Sequence, residues 1–253
     1  MRTKSTLTSA KTNGFTLAEV LITLGIIGII AALTLPSLIT NYREKQRVTQ
    51  LKKIHSTLQQ AFVRAQEAHG ELQYWDLTKT DTGEVDEDGN TILDHSGNEK
   101  VLSYLGESLN AQKNESDIHV TLRSLNNVVV NNDYVYPPSR YLKLNDGTII
   151  LIGWVGSITN SLYADVQILF PGCERKGCIV GIDAFYFKLM PKVGIIPAGL
   201  PTDTGLRFDR DCNLSQNIKN NGRGCTAWVI YKENMDYLHC NDLSWNGKSK
   251  CKQ

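Results

Sequence analysis

Six cysteines, five histidines and one carboxylate inside an apolar run are the side chains of this sequence whose type and spacing bear on chemistry. Cys173, Cys178, Cys212, Cys225, Cys240 and Cys251 all lie beyond residue 170. An even set in a turn-rich stretch reads as disulfides formed in an oxidising compartment. The sequence leaves their pairing open; short loops favour Cys173–Cys178, Cys212–Cys225 and Cys240–Cys251. Zinc is the rival reading, and it needs convergent thiolate or imidazole ligands. There is no C-x-x-C, only His239 adjoins a cysteine, and His55, His69, His95 and His119 are scattered. Asp86, Glu87 and Asp88 resemble the start of a calcium loop, but Thr91 stands where an EF-hand requires glycine. No metal and no cofactor are expected. G-x-S-x-G, H-E-x-x-H and Walker patterns are absent, so no catalytic residue is assigned and the chain is not read as an enzyme.

Glu19 is the single ionisable residue between Phe15 and Ile39. That run of 25 residues exceeds the roughly 20 needed to cross a hydrocarbon core. A cleaved secretory signal has an apolar part of only about 7–15 residues and an A-x-A-like site; Ala18, Ala31 and Ala32 make none. A plain signal anchor fits the length but leaves Glu19 without a task. A central carboxylate costs about 2.5–3.5 kcal/mol on insertion scales, less near a helix end, and such groups usually have a partner. Glu19 is near the start of its run, so snorkelling to the interface is the alternative.

The elements that position these groups follow from periodicity. Val48, Leu51, Ile54, Leu58, Ala61, Phe62, Ala65 and Ala68 recur at spacings of three and four, which predicts an amphipathic helix over 40–69 continuing the apolar one and stopping at Gly70. Pro36 predicts a kink or local melting near Thr34–Ser37. Gly25 and Gly28 would permit close helix packing, or are spacing noise. The segment after Gly70 reads as loop with one short hairpin, and VLSYLGESLNAQK as a short helix. Strands are expected in NNVVVNNDYVYP, in a hairpin turning at Asn145-Asp146-Gly147, in SLYADVQILF and in DAFYFKLMP. Phe185 and Phe187 alternate with Tyr186 and Lys188, which predicts one buried and one exposed face. The tail reads as polar loops around Cys225–Tyr231, helix or strand. The fold class expected is α+β, a long N-terminal helix against an antiparallel sheet, with a disulfide-bearing C-terminal region.

Charge excludes little. The net charge is +1; Arg2, Lys4 and Lys11 precede the apolar run, and removing these from 27 bases leaves 24 against 26 acids. That balance carries no electrostatic footprint for nucleic acid.

The stretch KTNG followed by FTLAEVLITLGIIGIIAALTLPSL resembles the class III signal of type IV prepilins and type II secretion pseudopilins. Gly14, Phe15, Thr16, Leu17 and Glu19 match that pattern position by position, and Pro36 falls where many members carry a kinking proline. The resemblance implies a pilin-like fold with a leader 1–14, a membrane and filament-core helix 15–39, its amphipathic continuation 40–69 and an extracytoplasmic domain 70–253. It implies that a prepilin peptidase cuts after Gly14 and N-methylates Phe15, and that Glu19 of one subunit meets the Phe15 ammonium of another. Implied partners are copies of itself or other pilins, the peptidase, an inner-membrane assembly platform, and lipid before assembly. Bases flank both ends of the span, and counting them favours the opposite orientation. The leader must nonetheless face the peptidase, which puts the N-terminus in the cytoplasm of a bacterium and the cysteines outside. Roles as a secretion pseudopilin, a surface pilin or a DNA-uptake pilin stay open; no basic run with interleaved aromatics favours the last. ADVQILFPGCERKGCIVGIDAFYFKL also resembles a motif of bacterial pseudopilin-like proteins, D-V-N-G-x-K-G-P-N-x-x-G-x-D-x-F-x-F. It keeps Asp165, Val166, Gly181, Asp183, Phe185 and Phe187 but replaces N-G-x-K-G by a cysteine-bounded loop, weakening a cation site at Asp165 or Asp183. The competing class is a membrane-anchored extracytoplasmic enzyme or binding protein with an uncleaved signal anchor.

Overall fold

A computed structural model describes residues 14–75, 81–85, 91–93, 96–109, 111–112, 114–136, 138–158 and 161–251. The leader up to Asn13, the acidic trio Asp86–Asp88 and His95 lie outside the described residues. Helix α1 covers Leu17–His69. The chain divides into two compact units, up to Glu44 and from Lys45 onward.

In the first unit, α1 exposes Leu21, Ile27, Leu33 and the other large apolar side chains of the run. Its hydroxyls are satisfied by its own backbone. Thr23 Oγ1 donates to the Glu19 carbonyl at 2.9 Å, Thr34 Oγ1 to Ile30 at 2.9 Å and Thr40 Oγ1 to Pro36 at 3.0 Å. Such internal pairing is what a polar side chain in lipid requires. The helix runs unbroken through Thr34–Ser37, so the expected melting does not occur there.

The second unit is built of α1 from Lys45 and the elements β1 Asp81–Val85, β2 Thr91–Leu93, α2 Ser96–Gly106, β3 Ala111–Gln112, β4 Ile118–Arg123, β5 Val129–Tyr136, β6 Tyr141–Leu144, β7 Ile149–Ile158, β8 Ser161–Leu169, α3 Cys173–Lys176, β9 Cys178–Ile179, β10 Ala184–Met190, β11 Gly194–Pro197, α4 Phe208–Asp211 and α5 Thr226–Lys232. β1 and β2 form a separate hairpin, and the main sheet has the antiparallel order β11-β10-β8-β7-β6-β3. α1 lays Leu51, Ile54, Leu58 and Phe62 into a core with Ile150, Ile152, Val166, Ile168, Phe185, Phe187 and Leu189. It also closes the sheet's edge. Gln59 Nε2 donates to the Ile195 carbonyl at 2.8 Å, and the Ile195 N–H donates back to Gln59 Oε1 at 3.1 Å. The exposed row of β11 backbone groups is thereby paired by a helix side chain. His55 Nε2 lies 2.9 Å from the same carbonyl and stacks 5.4 Å from Phe187. His69 pairs with Glu107 at 2.8 Å and stacks on Tyr104. Both histidines are packed structural residues and not free surface groups. Gly70, with φ +79, ends the helix, and its carbonyl accepts Trp75 Nε1 at 2.8 Å.

Two expectations need correction. A second sheet, β5-β4-β9, pairs β4 with β9 in parallel and was not legible as part of a simple meander. It covers the far side of the main sheet, where Val120 and Leu122 meet Ile149, Leu151, Leu169 and Tyr186. Tyr186 is therefore buried, and β10 is covered on both faces next to it. The tail is also not a set of loops around one segment. Phe208, Trp228, Met235, Tyr237 and Leu243 join the main core, and Phe208 stacks 4.1 Å from Trp228. Cys225–Tyr231 resolves as helix because Trp228 and Val229 reach the core from α5 while Thr226 Oγ1 accepts the Tyr186 N–H at 3.0 Å. Local β propensity yields to that packing.

Candidate functional site

The residues that match the family signal cluster at the start of α1, where four N–H groups lack intrahelical acceptors. Phe15 is 87% exposed. Thr16 is the capping residue: its carbonyl accepts Val20 N–H at 3.2 Å. Its hydroxyl accepts the Glu19 N–H at 3.2 Å. Glu19 answers through one oxygen, Oε2, which accepts both the Thr16 N–H and the Thr16 hydroxyl at 2.8 Å. This is a reciprocal capping box, worth about 1 kcal/mol of helix stability. The pattern Thr16-x-x-Glu19 is a sequence-level signature of such a box. An acid in an apolar run draws attention as a charge in lipid, which hides its part as a cap.

The box explains how a single chain carries this acid in an apolar helix. It engages only one of the two carboxylate oxygens. Glu19 Oε1 accepts no hydrogen bond among the described residues. Gly25 and Gly28 meet nothing within 4 Å of a built Cβ.

The other candidate residues lie elsewhere. Disulfides join Cys173 to Cys178, Cys212 to Cys225 and Cys240 to Cys251, leaving no free cysteine. Asp183 is claimed by Arg47, whose Nη2 donates to it at 2.9 Å while its guanidinium covers Phe170 at 4.3 Å. Asp165 lies on β8 facing Lys188 of β10. His119 and His239 fall on β4 and after α5, far apart in the topology from His55 and His69. Among the described residues no group of three metal-ligating side chains forms.

Comparison with known proteins gives two matches. One family model, described as a family of unknown function (DUF6613), covers residues 37–194. A second, described as a prokaryotic N-terminal methylation motif, covers residues 9–35. No curated protein and no solved structure matches.

Proposed function

Because the chain belongs to the family of unknown function DUF6613 and opens with the class III signal of the type IV pilins and pseudopilins, we propose that it is the precursor of a structural filament subunit, in a type II secretion or type IV pilus-like assembly. The methylation motif indicates a pilin-like precursor, a structural and not an enzymatic class, which generally assembles with other pilins after prepilin peptidase processing. The apolar helix near the N-terminus is consistent with membrane anchoring.

The observation that carries the reading is Glu19, held by Thr16 through one oxygen with the other unclaimed, four residues after Phe15. In our reading the peptidase cuts after Gly14 and methylates Phe15, and the new ammonium pairs with Oε1 of Glu19 on an adjacent subunit. Attraction between such charges is strong in a low dielectric, though desolvation offsets much of it. The pair's main effect is register, since a misplaced stagger strands a buried charge. Leader 1–14, membrane segment 15–39, with Pro36 as its bending point, helix 40–69 and extracytoplasmic domain 70–253 are the corresponding parts. The three disulfides suit an oxidising side of the bacterial inner membrane for that domain. Its partners are then copies of itself or other pilins, an assembly platform, and lipid before assembly.

Zero-length carbodiimide coupling of the protein in its native membrane tests the contact. The expected product is a dimer joined by an amide between the Phe15 amine of one chain and the Glu19 carboxylate of another. Coupling confined to other residue pairs would contradict this geometry.

A further inference from the structure

Between α1 and the β6–β7 turn lies a cleft of about 350 Å³, open to solvent. Small-ligand pockets span roughly 300–1,000 Å³, and this one falls at the lower end. One wall is α1, through Gln50, Lys53 and Thr57. The other is the turn, through Asn145, Asp146 and Thr148. Ile54, Leu109, Leu144 and Phe170 complete the lining, and all four are residues of the main core. Three of them keep some exposure, Ile54 7%, Leu109 7% and Leu144 9%, where most of that core has 3% or less. The core's apolar surface therefore reaches the cleft. On α1 the spacing of Gln50, Lys53, Ile54 and Thr57 is three, one and three, which puts them on one helix face.

The two walls offer opposite chemistry. On α1, Arg47 Nη1 donates to Gln50 Oε1 at 3.2 Å, which turns the Gln50 amide nitrogen into the free end, a donor. Lys53 is exposed, and its ammonium joins no ion pair or hydrogen bond among the described residues. Its neighbour Lys52, by contrast, is taken by Glu233. On the turn, Asp146 Oδ1 accepts the Thr148 N–H at 2.9 Å, and Oδ2 accepts nothing among the described residues. Asp146 is exposed as well, and it forms no ion pair with Lys53. A cation and an anion thus stand on separate walls of one cleft, with apolar surface between them. Few convergent polar groups around an apolar lining are the ordinary composition of a ligand site.

We propose that this cleft binds a free α-amino acid with a branched aliphatic side chain. Its carboxylate accepts from the Lys53 ammonium and the Gln50 amide, and its ammonium donates to Asp146 Oδ2. Its side chain covers Ile54, Leu109 and Leu144, and removing that apolar surface from water drives the binding. Three of the four apolar lining residues are aliphatic, and Arg47 already lies over the Phe170 ring at 4.3 Å. An aliphatic side chain therefore fits better than a stacked aromatic one. A fatty acid would engage Lys53 alone and a simple amine Asp146 alone, whereas an amino acid engages both walls. Every lining residue belongs to the unit from Lys45 onward, so the proposal stands or falls apart from the filament reading.

The test uses the full chain in detergent and follows the NMR signal of the Thr148 N–H, the group that Asp146 holds. Leucine should shift it saturably, with a Kd in the millimolar range or below. Each control removes one feature: leucinamide the carboxylate charge, isocaproate the ammonium, glycine the apolar side chain. All should bind at least about tenfold more weakly than leucine. Two variants assign the contacts. Lys53→Gln should weaken leucine about tenfold and abolish its advantage over leucinamide. Asp146→Asn, whose amide oxygen can still accept the Thr148 N–H, should weaken leucine about tenfold and abolish its advantage over isocaproate. Loss of these preferences at an unchanged unfolding temperature separates recognition from packing. Absence of a saturable shift, equal binding by glycine, or either preference intact in its variant would overturn the proposal. So would a shift of the same signal on diluting the protein alone, which would assign the cleft to a second copy.

Discussion

Glu19→Ala is expected to exclude the subunit from filaments, by tenfold or more on the scale where about 1.4 kcal/mol is one decade, while the leader is still removed after Gly14. The size follows from where the acid sits. Thr16 engages Glu19 within one chain through Oε2 alone. Once leader removal exposes an amine on Phe15, an assembled neighbour either meets the second oxygen or leaves both charges buried and alone. Removing one partner of a buried pair costs about 3–5 kcal/mol. The cap itself accounts for only about 1 kcal/mol, and alanine is a good helix former. Glu19→Gln separates the two contributions, since the amide can keep the bonds to Thr16 without the charge. Both variants should fail in the quantity recovered from sheared filaments. Assembly of Glu19→Gln at wild-type levels would reduce Glu19 to a helix cap.

The second large effect is in the unit from Lys45 onward. Gly222→Ala should destabilise by about 3 kcal/mol or more, a size reserved for backbone strain and core disruption. Gly172→Ala should cost about 1–2 kcal/mol, the ordinary penalty of a side chain in the left-handed region. Both glycines have φ +103. They differ in surroundings: a Cβ on Gly172 meets nothing within 4 Å, whereas one on Gly222 would stand 2.1 Å from the Val180 carbonyl oxygen. The cysteine-closed loop from Cys212 to Cys225 is thus pressed against the backbone after β9, and it carries Arg223 to the Tyr186 ring. Denaturant midpoints of the two variants at equal slope measure the difference. Equal midpoints would mean that the loop relaxes freely and does not fix Arg223.

The sequence made the helical half legible because its signals are redundant: a long apolar run, three-and-four spacing from Val48 to Ala65, and Gly70 as a stop. The hairpin at Asn145-Asp146-Gly147 and the strands around Phe185 were equally explicit, and they pair as β6–β7 and β8–β10. β4 and β11 were not. Ile118–Arg123 is a plain alternating strand whose partner β9 has two residues, and Gly194–Pro197 is an edge that depends on Gln59. Such pairings are long-range facts that no local window contains. Tyr186 was read as exposed because alternation reports a period and not what covers each face. The contact of Arg223 with the Tyr186 ring was invisible for a similar reason, because the two residues are distant in sequence. At the helix start, by contrast, five matching residues fall within six positions, and their geometry is a single turn.

The most direct test of the central claim is the intact mass of the protein purified from its native membrane. A chain beginning at Phe15, heavier by one methyl group at its amine, is the predicted result. A chain that retains residues 1–14, or one cut beyond residue 30, would contradict the account, because no amine would then lie beside Glu19.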